Sequence, residues 1–134
     1  VQVQNEISRE TITLMPTHSC FDDMLEYFYT LAAYGEQDTH RLVHGVILYE
    51  GREMSHAWVL KNGVEVQQTF MKEGQKVLVG MPLKMFVVTA APITETRYTW
   101  EEAKEQNRVH GTFGPWVERY LKLCGDHKEM VNEL

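Results

Sequence analysis

The chain has 134 residues, 43% of them hydrophobic and 24% charged, and a formal net charge of −6. That length and balance fit one globular domain, 1–134, with a core of its own and no staples. An acidic chain without a Lys/Arg cluster offers polyanions no attractive surface, which excludes nucleic acid, and no apolar run approaches the ~20 residues that cross a membrane.

No charged start followed by an apolar segment is visible, so no secretion signal is expected. The two cysteines, Cys20 and Cys124, belong to no CxxC pair. In a chain of this size that pattern fits a cytoplasmic protein with reduced thiols.

"ETITLM" (10–15) alternates as a short strand and stops at Pro16. "THSCFDDMLEYFYTLAAYG" (17–35) reads as a helix, because Phe21, Met24, Leu25, Phe28, Leu31 and Ala32 recur at helical spacing. Thr17 or Ser19 suits the N-cap, Asp22 and Asp23 suit the first turn, and Gly35 suits the position just past the end. Strands follow at 41–49 and 54–60, separated by the turn "EGRE". Asn62-Gly63 then favours a type I′ hairpin, since both central residues need positive φ, and 64–70 returns antiparallel. "KVLVG" and "KMFVVTA" read as one or two further strands around Pro82.

The last third turns helical. Thr99 and Glu102 form a capping-box pattern ahead of "WEEAKEQNRVH". Gly114-Pro115 opens "PWVERYLKLC", with Pro at the favoured first position and Gly125 beyond the end. Helix, sheet and helices in this order predict an α+β domain: an N-terminal core helix packed on an antiparallel sheet, with C-terminal helices.

Three residues suggest chemistry. Cys20 stands at the start of the strongest helix, where unpaired amides and the macrodipole favour a thiolate and can hold an oxyanion. Asp22 and Asp23 oppose that effect. His56 shares a strand face with Met54, Trp58 and Leu60, a setting that fits either a hydrogen-bonded core residue or a fixed catalytic base. Counting back through a two-residue hairpin pairs Lys61 with Val64 and His56 with Thr69, so Gln67 or Gln68 falls beside the imidazole. A glutamine carbonyl there accepts the ring N–H and sets its tautomer. His40 and His44 share one strand face, but no HExxH, helical HxxxH or paired CxxC occurs, so no metal and no cofactor are expected. Tyr98, Trp100 and Trp116 read as core or groove aromatics.

These residues carry a resemblance. The order of Cys20 on its helix, "RLVHGV" (41–46), "HAWV" (56–59) and "QQT" (67–69) resembles the papain-like cysteine fold in its small transglutaminase-like form, over roughly residues 17 to 70. The resemblance implies Cys20 as nucleophile, His56 as general base and Gln67 as orienting group, in place of the family's Asp two residues before Thr. Gln68, Trp58 and His18 would then line the binding surface. The implied activity is acyl transfer or hydrolysis on a peptide or small amide or ester; the alternative is an inactive relative that binds a peptide or protein.

Overall fold

The computed structural model describes residues 15–16 and 19–123. Its elements in chain order are β1 (Met15–Pro16), α1 (Cys20–Ala33), β2 (His40–Tyr49), β3 (Arg52–Lys61), β4 (Glu65–Lys72), β5 (Gln75–Pro82), α2 (Leu83–Ala90), β6 (Thr94–Tyr98) and α3 (Trp100–His110). A short 3-10 turn, Gln37–Thr39, precedes β2, and helical residues reappear from 118 to the last described position, 123. The fold is α+β, as the sequence predicts. Among the described residues no helix is long and apolar enough to cross a membrane.

Helix α1 owes its form to one apolar stripe. Phe21, Met24, Leu25, Phe28 and Leu31 are all buried, and each of the larger ones withdrawn from water is worth about 2 kcal/mol. Gly35, at φ 76°, ends it: its N–H reaches the Ala32 carbonyl, and the next N–H, of Glu36, reaches back to Leu31. That is the paired closure a left-handed residue after a helix permits. Thr17, the other N-cap candidate, lies outside the described residues.

The strands are antiparallel throughout, in the order β1-β4-β3-β2-β6, with β5 paired along β4. Strict alternation in β2 and β3 gives the sheet two apolar faces. Leu42, Ala57 and Val59 meet α1 on one face; Val43, Ile47, Met54, Trp58 and Leu60 gather with Phe86 of α2 on the other.

The segment read as the strand "KMFVVTA" is helical. Leu83, Phe86 and Ala90 fall at spacings of three and four, and all three pack on the Trp58 face. The β-branched pair Val87 and Val88 faces out. Docking of one helical stripe outweighs the local strand preference of the valines. The capping box forms as expected, with Glu102 N–H donating to Thr99 Oγ1 and Thr99 N–H donating to Glu102 Oε1. Pro115 does not open a helix. It sits in a loop ahead of residue 118, joined to Gly114 by a cis bond, where Trp116 meets Tyr98 edge-on and lies tilted against His44. Of the strand expected at 10–15, only residue 15 is described; Cys124 and Gly125 lie outside.

Candidate functional site

The Asn62-Gly63 turn is the expected one, with φ of 53° and 72° and a Val64 N–H bond to the Lys61 carbonyl. The ladder nevertheless pairs Lys61 with Glu65, Leu60 with Val66 and Val59 with Gln67. Val64 is the extra residue, and its carbonyl accepts from Leu83 N–H at the start of α2. The returning strand is therefore one residue out of step with the two-residue count. One step inverts every side chain.

The consequence falls on the two glutamines. Gln68, not Gln67, meets the imidazole: its Oε1 lies 2.7 Å from His56 Nε2. An amide oxygen only accepts, so Nε2 carries the hydrogen and Nδ1 is the basic nitrogen of the ring. Gln67 points to the α1 face, where its Oε1 accepts from Tyr27 Oη at 2.8 Å and its Nε2 donates to Glu65 at 2.8 Å. The hydrogen bond to His56 expected of Gln67 is made by Gln68, and the one-residue slip at Val64 is the reason.

His56 is buried, with its ring stacked 5.9 Å from Trp58 and 6.2 Å from Phe70. Trp58 lies beneath it as a core residue against Phe86, at 4.8 Å, and is 1% exposed. Trp58 thus supports the imidazole from the core side and lines no open surface. His18 lies outside the described residues.

Strand β4 explains how the start of α1 comes to this place. One edge of β4 is taken by β5 over its whole length. The other edge pairs with β3 only from Glu65 to Gln67, and then with β1 at Phe70 and Met71. So β3 and β4 part at Gln68, and β1 occupies the opening. Pro16 pairs with Phe70, the residue on which His56 stacks, and Cys20 follows Pro16 by four positions. Cys20 itself is 1% exposed and belongs to the core cluster with Ala57 and Val59. Alternation along β3 sets His56 on the face away from those residues. Cys20 thus packs on the α1 face of β3, and the His56 side chain leaves the strand on the other.

The first turn of α1 is unusual in its N-cap. Ser19 makes no side-chain bond to the helix amides; its Oγ donates instead to Asp23 Oδ2 at 3.1 Å. Asp23 also accepts from Thr69 Oγ1 at 3.2 Å and from Lys76 Nζ at 3.0 Å. Asp22 is exposed.

The other two buried histidines have structural settings. His40 Nδ1 donates to the Glu36 carbonyl at 2.7 Å. His44 is enclosed by Phe21, Tyr98 and Trp116, with ring centroids 4.7, 5.2 and 4.9 Å away. Neither of its ring nitrogens has a hydrogen-bond partner, and burial lowers its pKa to about 3, so it is neutral. Among the described residues no group of His, Cys, Asp and Glu is placed to hold a metal ion. A surface concavity of about 510 Å³ lies at the Glu65 end of β4, lined by Val64, Glu65, Gly80, Met81 and Pro82. No family model matches the chain, and no curated protein or solved structure is significantly similar to it.

Proposed function

We propose that this domain is a papain-like, transglutaminase-like thiol enzyme that transfers or hydrolyses an acyl group. The observation that carries the reading is the His56–Gln68 bond beside the strand opening that β1 fills, four residues ahead of Cys20. It fixes the tautomer that leaves Nδ1 able to take a proton. In the proposed cycle the Cys20 thiol gives its proton to His56, and the sulfur attacks an amide or ester carbonyl. The oxyanion is held by amides of the first turn of α1, which the Ser19 side chain does not occupy. His56 returns the proton to the departing amine or alcohol, leaving a thioester. Water or an amine then attacks the thioester, again giving its proton to His56, and the thiol is regenerated. A peptide or small amide or ester fits this chemistry. It needs no cofactor, and it suits a reducing compartment such as the cytoplasm.

A second reading has one observation in its favour. Cys20, His56 and Gln68 are all at most 2% exposed, and Gln68 brings no negative charge to an imidazolium. Both features suit a domain that keeps the fold and binds a peptide or protein without turning it over.

Iodoacetamide alkylation of Cys20 across pH, in a Cys124→Ser background, separates the two. An enzyme shows a midpoint below the ordinary thiol value of about 8.5, and His56→Ala moves it. A midpoint near that value and indifferent to His56→Ala sinks the catalytic reading.

A further inference from the structure

We infer that Asp23 and Lys76 form a clamp that sets the position and charge environment of Cys20, acting as positioning residues for the nucleophile. The inference rests on the reading of Cys20 as a nucleophile. Asp23 lies three residues after Cys20, on the same side of the first turns of α1. An uncompensated carboxylate there opposes a thiolate, however well it suits the helix dipole.

The structure shows what is done with that charge. Lys76, on β5, holds Asp23 Oδ1 at 3.0 Å. Thr69, on β4, and Ser19, at the N-cap, both donate to Oδ2. The Asp23 side chain is only 12% exposed while Lys76 is 52% exposed, so the carboxylate is tucked in and the lysine is brought to it from outside. Among the described residues, donors from β4, from β5 and from the helix N-cap converge on one carboxylate.

The geometry has two effects. The bonds tie the first turn of α1 to β4 and β5, which form the far lip of the opening that β3 leaves at Gln68. They also place a cation against the carboxylate one helical turn after the thiol. Among the described residues, the charged groups at this end of α1 are Asp22 and Asp23 on the helix and Lys76 on β5, with His56 on β3 beyond the sheet. His44, which touches the neighbouring Phe21, is neutral. Asp22 faces solvent, where screening weakens it. Among the described residues Asp23 is thus the less screened of the two carboxylates, and Ser19 serves it rather than the helix amides.

The test measures the alkylation midpoint of Cys20 by iodoacetamide in the full chain carrying Cys124→Ser. Lys76→Met is expected to raise the midpoint by about half a pH unit, which slows alkylation about threefold below it. Lys76→Arg restores the original midpoint. Asp23→Asn combined with Lys76→Met returns it to the original value or lower, since the charge to be compensated is gone. A purely structural tie would lower thermal stability in both Lys76→Met and the double variant without this reversal. If Lys76→Met fails to fold, Asp23→Asn alone decides: the midpoint falls if the clamp acts on charge, and an unchanged midpoint overturns it. An unmoved midpoint in Lys76→Met, or a double variant that stays raised, overturns it equally. Failure of the enzyme reading is seen separately, in the unsubstituted midpoint and in its indifference to His56→Ala.

Discussion

His44 makes the stability of this domain depend on pH in a way that can be isolated. Its ring sits among Phe21, Tyr98 and Trp116, and a Cβ on Gly114 would stand only 2.7 Å from its Cε1. Protonating it there places a charge among aromatic faces with no acceptor for either N–H. Burial therefore lowers its pKa from 6.5 to about 3. Between those two values the unfolded chain binds a proton at this position and the folded chain does not, so stability falls as pH falls and is whole again above 6.5. At 1.36 kcal/mol per unit, moving to pH 5 removes about 2 kcal/mol and moving to pH 4 about 3 kcal/mol. Urea unfolding at pH 7.5, 5 and 4 measures the loss, for the native chain and for His44→Leu. The variant has no proton to bind and should lose that much less, because other titrating groups act equally on both. It should also match or exceed the native stability at pH 7.5, since an unbonded buried imidazole costs about 1–3 kcal/mol. Parallel pH dependence in the two proteins would refute the argument.

The remaining expectations concern register, strand approach and capping. On the proposed dyad, Gln68→Glu places a carboxylate on His56 Nε2, the imidazolium–thiolate pair gains and alkylation of Cys20 below pH 7 rises by about tenfold; Gln67→Glu, aimed at Tyr27, leaves it unchanged. Equal effects of the two would show the register to be wrong. Gly45→Ala puts a Cβ 2.5 Å from the Thr94 carbonyl and 2.9 Å from the Trp58 ring. The β2–β6 contact must open, and chemical denaturation should report a loss of about 3 kcal/mol. Thr99→Ala removes the N-cap of α3, at a cost of about 1 kcal/mol by the same assay, and a loss under a few tenths would show that α3 does not depend on its box.

How much of this was legible before the fold was known differs by element, and the reason is physical. Helix α1 declares itself because its stripe, its acidic first turn and Gly35 are local and agree with one another. The Asn62-Gly63 turn and the capping box are local as well. The stretch from Leu83 to Ala90 reads as strand in sequence because Val87 and Val88 have strand-like preferences. What makes it helical is the Trp58 face waiting for Leu83, Phe86 and Ala90, and that face is assembled from strands far away in sequence. Gly114-Pro115 has the composition of a helix start, yet Gly114 packs on His44, and the following Trp116 meets Tyr98. Contact with a distant strand outweighs the local signal there too.

The site turns on the smallest of these non-local effects. A hairpin count places residues correctly only if the turn is the sole constraint on the returning strand. Here Leu83 N–H also takes the Val64 carbonyl, and Val64 drops out of the ladder. The adjacent pair Gln67 and Gln68 then divides between two faces, one residue bonded to a tyrosine of α1 and the other to His56. Thr69 follows onto the α1 face and reaches Asp23. The three residues of "QQT" thus connect the imidazole, the helix and its first-turn carboxylate in turn. A bond at the start of α2 thus bears on which glutamine meets the histidine, and a change at Leu83 that frees the Val64 carbonyl acts on this place through register as well as through the packing of Leu83 on the Trp58 face.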